Sequence, residues 1–294
     1  MKTNSKDQLI CVDHTVTQEK FHLEWDSQFE MYITNPRPDE KSLGKYYAST
    51  SYISHTDSSD SFIDKLYQTV KNFTIKQKVK LIQSFNSGEL SILDIGCGTG
   101  DFLVACKNRG WEVHGIEPNK MARQIASEKL HLLNDRKSDE IIHTDIQELL
   151  KSNKKYDVIS MWHVLEHVSN LKEYIEYLKG LLNPNGTLII AVPNFKSYDA
   201  EYYKEYWAAY DVPRHLWHFS KKSIGLLFEK VNLEVIKTVP MKFDSYYVSL
   251  LSEKYKNGKS NFLKAFYIGS LSNLKAKRSK EYSSLIYIIK HANN

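Results

Sequence analysis

From residue 91 onward the chain alternates between two hydrophobic periods. Short apolar, often β-branched runs at 91–95, 112–117, 140–144, 156–162 and 186–192 read as buried strands. Between them, apolar residues recur three and four apart at 101–108, 119–130, 170–182 and 221–230, with a short helical turn near 146–151. Two further strands are expected at 233–239 and 283–290. This alternation predicts an α/β fold, a doubly wound sheet with helices on both faces. Upstream, Phe62, Ile63, Leu66, Val70, Phe73, Ile75, Val79 and Ile82 keep a helical period, so one or two amphipathic helices lead into the core. Residues 1–60 form an appendage, with short strands at 12–16 and 20–25 and a break at Asn35-Pro36-Arg37-Pro38. The main domain is then 61–294. Within it, residues 194–220 are too long and aromatic for a plain connection and read as a substrate-side insertion.

Composition narrows the classes. At 294 residues and 41% apolar, the chain can bury one large α/β core with appendages. It holds no run of about 18 apolar residues, so no membrane span is expected. The first residues lack an apolar signal segment, and a cytoplasmic location is expected. Cys11, Cys97 and Cys106 form no C-x-x-C pair, which argues against a disulfide framework or a zinc site. The net charge is +5. Residues 254–280 carry eight Lys/Arg and no acid, interrupted by Phe262, Leu263 and Phe266. That basic segment reads as a solvated face, or as a contact for a phosphorylated or membrane-associated substrate. No nucleic-acid-binding motif is present, so such a partner is not expected. The oligomeric state leaves no mark in the sequence.

The chemistry begins at Ser91-Ile-Leu-Asp94-Ile-Gly96-Cys97-Gly98-Thr-Gly100-Asp101. A strand ends in an acid and runs into glycines, where backbone can approach a ligand with no Cβ in the way. A dinucleotide fingerprint would place its third glycine at 101, where Asp101 stands, and no Lys-Ser/Thr pair follows to make a P-loop. Glu117 closes the second strand and can accept from both hydroxyls of a ribose, or serve as an acid at a helix start. Asp145 closes the third and can receive an adenine amine, with Ile146 against the ring, or act as a helix N-cap. After the fourth strand come Trp162 and His163, placed to pack on a cofactor, then Glu166 and His167. His167 is the leading candidate for a general base, because an imidazole titrates near neutral pH. His163 and His167 have metal-ligand spacing but no evident third ligand, so no metal is expected.

In this order and spacing, Leu-Asp-Ile-Gly-Cys-Gly-Thr-Gly, Gly-Ile-Glu-Pro, Thr-Asp-Ile, Tyr-Asp-Val-Ile-Ser-Met-Trp-His-Val-Leu-Glu-His-Val and Leu-Asn-Pro-Asn-Gly-Thr-Leu-Ile-Ile-Ala-Val-Pro-Asn resemble the class I S-adenosylmethionine (SAM) methyltransferases. The resemblance covers 91–192 and is strongest to the group of the ubiquinone-biosynthesis O-methyltransferases. It implies a Rossmann-like seven-stranded sheet ordered 3-2-1-4-5-7-6, with strand seven antiparallel. It carries Asp94, Gly96, Gly98, Glu117, Asp145 and Ile146 over as SAM contacts, and we assign Cys97, Gly100, Pro118, Trp162 and His163 to the same site.

Residues 207–220, Trp207-Ala-Ala-Tyr-Asp211-Val-Pro-Arg214-His215-Leu-Trp-His218-Phe-Ser220, resemble an element that some of these enzymes carry after strand five. It offers Trp207, Asp211, Arg214 and His218 for an acceptor, with His215 as second candidate base; alternatively the same groups only order the loop. Ser220 is expected to cap the helix that follows. The run Tyr46–His55 resembles a segment that closes over the cleft in relatives, which would bring Tyr52 or His55 to the site. Some relatives carry a C-x-x-C pair near the N-terminus; Trp25-Asp26-Ser-Gln-Phe29 stands there instead. The resemblance implies SAM-dependent methylation, most readily of oxygen, of a small-molecule, sugar or lipid-linked acceptor, with peripheral membrane contact allowed. The competing readings are a SAM-binding regulator or scaffold without catalysis, and an NAD-dependent oxidoreductase, which the third-glycine position disfavours.

Overall fold

The computed structural model describes residues 9–39, 42, 44–47, 62–88, 90–132 and 142–292, with side chains from residue 70 onward in the first long helix. Tyr52 and His55 lie outside the described residues.

Eleven strands form two sheets among these residues. The larger contains β4 (Ser91–Ile95), β5 (Glu112–Ile116), β6 (Ile142–His143), β7 (Tyr156–Trp162), β8 (Leu182–Pro193), β10 (Leu233–Pro240) and β11 (Ser284–His291). Its order is β10-β11-β8-β7-β4-β5-β6. β4 to β8 pair in parallel, whereas β11 runs antiparallel to both β8 and β10. In the order of the main-domain strands this is 3-2-1-4-5-7-6, as expected.

The central strands are buried on both faces, and their alternate residues divide between two cores. Leu93, Ile159 and Leu188 pack on one side with α4 (Ile146–Leu150), α5 (Leu171–Leu181) and α7 (Lys221–Glu229). Ile92, Val158 and Ile189 pack on the other with α1 (Phe62–Gln83), α2 (Asp101–Lys107) and α3 (Lys120–His131). The chain winds from β4 to β5 and β6 on one side, then returns to β7 on the other. The loops after β4 and β7 therefore flank the crevice where ligands bind in open α/β sheets.

The second sheet is antiparallel: β1 (Leu9–Val12), β2 (Lys20–Asp26), β3 (Met31–Asn35) and β9 (Trp217–His218). Here the structure corrects the sequence reading. The first strand ends at Val12 instead of spanning 12–16. Asp13 accepts from the amides of Thr15, Val16 and Thr17 and folds the chain into a turn. A third strand, β3, lies just before the proline-rich break. The insertion after β8 supplies β9, which pairs Tyr32 with His218 and Ile33 with Trp217. This sheet therefore joins the main domain through 194–220.

The insertion itself is mostly short helices, α6 (Tyr198–Tyr203) and two 3-10 turns, ending in the expected Ser220 cap of α7. After β10, α8 (Asp244–Asn257) and α9 (Phe262–Ser279) form a helical hairpin, and α9 carries most of the basic segment.

Candidate active site

Three glycines of the β4 loop adopt positive φ: Gly96 (72°), Gly98 (55°) and Gly100 (79°). A Cβ on Gly96 would lie 2.5 Å from Cγ2 of Val164, and one on Gly100 would lie 2.9 Å from Cβ of Ala126. At Gly98 nothing stands within 4 Å, so this turn of backbone faces open space. The loop is held by its acids. Glu117 accepts from the Gly98 amide at 2.9 Å with one oxygen and from the Asn119 amide at 2.8 Å with the other. Each oxygen keeps a lone pair for a second donor. Asp94, 2% exposed, accepts from the Ser160 hydroxyl at 2.6 Å. Burial pushes its carboxyl up to about 7, with Glu117 adding to the shift and Ser160 and Lys78 opposing it.

Asp145 does cap a helix, accepting from the Gln147 and Glu148 amides through Oδ1, while Ile146 is buried beside it. The cap and an adenine amine need not compete for the same oxygen. Trp162 packs edge-on against Phe102, and its buried indole N–H finds no acceptor among the described residues. Lys78 places its ammonium 4.1 Å from the centre of that indole. Burial pulls the Lys78 pKa down, and Asp94 and Asp244 pull it back. The sequence reading missed this residue because it sits on α1, outside every motif, and no spacing rule marks it. A positive-φ glycine loop, a ribose-type acid, an unmatched indole donor and a cation beside buried acids fit a nucleoside cofactor that carries an amino-acid carboxylate.

The loop after β7 turns at His163, which holds φ at 59°, an uncommon conformation for a residue with a side chain. Its ring lies between two acids, Nδ1 at 3.4 Å from Glu166 and Nε2 at 3.1 Å from Asp244. Burial opposes the imidazolium, but the two carboxylates raise its pKa to about 10. His163 is thus engaged with Glu166 and with the N-terminal turn of α8.

His167 and His215 meet edge to face, with ring centres 4.6 Å apart. His167 Nδ1 lies 3.0 Å from the Arg214 carbonyl, and His215 Nδ1 lies 2.9 Å from the Ala209 carbonyl. A carbonyl can only accept, so each Nδ1 carries hydrogen, and the Nε2 of a neutral ring is then the acceptor. The Tyr47 hydroxyl is also 3.2 Å from His167 Nδ1. Burial, aided by His215, pulls the His167 pKa down to about 4. Among the described residues, Glu166, His167 and His215 are the one trio of metal-ligating types whose donor atoms lie within 4.8 Å of one another. Glu166 is matched in charge by the His163 imidazolium, which leaves the neutral His167 ring, with His215 beside it, suited to proton transfer.

The other residues of the insertion face inward. Arg214, 3% exposed, reaches Asp211 with two nitrogens (2.9 and 2.6 Å), Asp13 at 3.2 Å and the Tyr46 carbonyl at 2.9 Å. The Trp207 indole donates to Asp199 at 2.8 Å, and His218 Nε2 pairs with the Thr34 hydroxyl at 2.9 Å. The alternative of loop order thus describes these contacts: a direct acceptor contact by the Trp207 indole N–H, by Arg214 or by His218 Nε2 would cost a partner, while Asp211 is held by Arg214. Cys97 is buried below the loop and Cys11 within the N-terminal sheet. Burial raises the Cys11 thiol to about 12, which makes it inert at neutral pH.

The buried histidines set an acid limit on stability. Burial lowers His114 and His167 to about 4, and His218 well below its usual value. Between pH 6.5 and 4 the unfolded chain takes up protons on these three rings that the folded chain refuses, so stability falls as pH drops through that window. Asp94 works the other way, as does His163 down to about pH 6.5, but they are two groups against three and His163 acts only in the upper part of the window. Thermal unfolding followed by circular dichroism should show Tm decreasing from pH 7 to 5; a level or rising Tm contradicts the assignment of neutral rings.

Comparison with known proteins agrees with this geometry. Residues 60–238 match the family described as a methyltransferase domain, more than half of the chain. The ubiquinone biosynthesis O-methyltransferase of Pelagibacter ubique is 31% identical over 169 residues, 52% of this chain and 67% of that protein. The one from Rickettsia typhi is 34% identical over 120 residues, and there the chain spans 47% of the relative's length. Among solved structures, magnesium protoporphyrin IX methyltransferase from Synechocystis with bound SAH superposes with a TM-score of 0.56. That match covers 86% of this chain and 100% of the other at 16% identity, a likeness of fold. Sequence match, sheet order and glycine-loop geometry together show that the chain belongs to the methyltransferase-domain family and has the class I SAM-methyltransferase fold.

Proposed function

We propose that this protein transfers a methyl group from SAM to a hydroxyl of a small-molecule, sugar or lipid-linked acceptor. The observation that carries this reading is the neutral His167 imidazole with His215 against its face, each Nδ1–H fixed on a backbone carbonyl. His167 stands in the turn after β7 and His215 in the insertion after β8, at the same edge of the parallel strands as the glycine loop that follows β4. The relatives from Pelagibacter and Rickettsia carry O-methyltransferase names, which supports oxygen as the nucleophile.

In this reading the backbone of Gly96, Cys97, Gly98 and Gly100 would hold the methionine part of the cofactor. Asp94 would answer its positive charge and Lys78 its carboxylate. Glu117, next to Pro118, would hold the ribose hydroxyls; Asp145 would take the adenine amine, with Ile146 against the ring. Trp162 closes that side, and His163 locks the loop to α8 through Asp244. When bound, SAM supplies an activated methyl on a sulfonium, so the chain has mainly to align the acceptor and exclude water. His167 Nε2 receives the hydroxyl proton, with Glu166 and His215 beside it, and Tyr47 and the Arg214 carbonyl hold the ring in place. Arg214, Asp211, Trp207 and His218 build the wall behind this pair.

The test uses methyl-labelled SAM with a panel of soluble phenols, sugars and polyprenyl phenols. Label in an O-methyl ether supports the reading. Label on nitrogen or carbon overturns it, as does tight SAM binding with no turnover on any member, which would favour a binding module. With an accepted substrate, His167→Ala should leave SAM affinity unchanged and lower kcat by roughly a hundredfold or more. Unchanged kcat removes His167 as the base.

A further inference from the structure

We propose that the outer face of α9 is a docking surface for an anionic lipid bilayer. The helix is built inside out. Its buried side carries Ala265, Ile268, Gly269, Ser272 and Ala276, all small except Ile268. A Cβ on Gly269 would meet Tyr246 at 2.8 Å, so α9 lies close against α8. Its outward side carries Phe262 (67% exposed), Leu263 (86%), Phe266 (67%), Tyr267 (64%) and Leu274 (60%). At about 3.6 residues per turn these five share one stripe, an arc from the edge of the buried side, where Phe266 stacks on Tyr246, round to the side opposite it. A helix that faced only water would have the reverse pattern.

Charge selects what covers the stripe. Lys259 precedes it, and Lys277 and Arg278 follow it; all three are exposed and make no ion pair with any described residue. No acid occurs from 254 to 280. A second copy docking on the same face would set these cations against their own kind. An anionic bilayer offers what both halves of the pattern need: hydrocarbon for the aromatic and leucine side chains, and phosphate at the depth of the flanking cations. No helix among the described residues is long and apolar enough to cross a membrane. α9 would therefore lie in the plane of the interface. The hairpin that presents this face also delivers Asp244 to His163, so docking would hold the cleft near the surface. The inference does not depend on which acceptor is methylated.

The experiment is co-sedimentation of the full chain with phosphatidylcholine vesicles, with and without phosphatidylglycerol, at low and high salt. The protein should pellet with the anionic vesicles, weakly with neutral ones, and less at high salt. Two variants separate the contributions. Phe262→Ser with Leu263→Ser and Tyr267→Ser, and separately Lys259→Glu with Lys277→Glu and Arg278→Glu, should each reduce binding roughly tenfold or more. All these side chains are exposed, so Tm and SAM affinity should be unchanged, which confirms that the variants fold. No binding to anionic vesicles overturns the proposal, as does wild-type binding by both folded variants. A dimer in sedimentation velocity that the serine variant makes monomeric, without vesicle binding, would reassign the face to a second copy. Binding of an acidic protein without vesicle binding would likewise reassign it.

Discussion

Glu117→Ala should weaken SAM and SAH binding by roughly 10- to 100-fold, the range for losing charge-assisted hydrogen bonds. The carboxylate does two things at once. In the proposed site it would present acceptors for the ribose, and in the structure it fixes the loop by receiving the Gly98 and Asn119 amides at 2.9 and 2.8 Å. Removing it takes away the ligand contact and leaves the Gly98 amide without its partner. Asp94→Asn should have an effect of similar size, with an added pH signature. Burial holds Asp94 near pH 7, so part of the population is protonated at neutrality. A cationic cofactor prefers the ionised form. Binding by the wild type should therefore release a proton below pH 7 and tighten as pH rises from 6 to 8, whereas the Asn variant should bind weakly with a flat profile. Isothermal titration in buffers of different ionisation enthalpy reads both. Wild-type affinity in either variant would remove that acid from the site.

Arg214→Met should destabilise the fold by about 3–5 kcal/mol, the range for breaking one side of a buried ion pair. Arg214 joins Asp211, Asp13 and the Tyr46 carbonyl in the interior, three separate segments of chain. Burial alone would raise the Asp13 carboxyl, yet the Thr17 and Thr15 hydrogen bonds and Arg214 hold it at about 2. Without the guanidinium, buried Asp13 and half-buried Asp211 lose their cation. Arg214→Lys should fail to rescue, because one ammonium cannot reach all these partners in the same fork. Urea unfolding gives the magnitude, and amide exchange should show β1–β3 losing protection first. A change below about 1 kcal/mol would mean the cluster is solvated.

Much of the main domain was legible because its signals are local. The strands at 91–95 and 156–162 are bounded as expected, since each is a short apolar run closed by an acid or an aromatic. The glycine loop was legible because positive φ leaves a mark in residue type. The appendage was harder to read. Alternation across 12–16 resembles a strand, but the Asp13 side chain competes for three amides and closes a turn instead. β9 is two residues long and exists only because β3 lies beside it, a tertiary fact with no local pattern. The polar residues of 207–220 suggested a substrate surface; the partners that draw Arg214 and His218 inward lie 201 and 184 residues away in sequence. His163 shows the same limit, because its second acid, Asp244, arrives on a helix eighty residues later. Lys78 reaches the cleft from α1 by packing alone.

The most direct measurement is calorimetric titration of the purified chain with SAM, SAH and NADH in parallel. Binding of SAM and SAH in a one-to-one ratio, with none of NADH, is the outcome that the glycine loop, Glu117 and Asp94 require. Tight binding of NADH with no heat from SAM or SAH would overturn the assignment of this cleft.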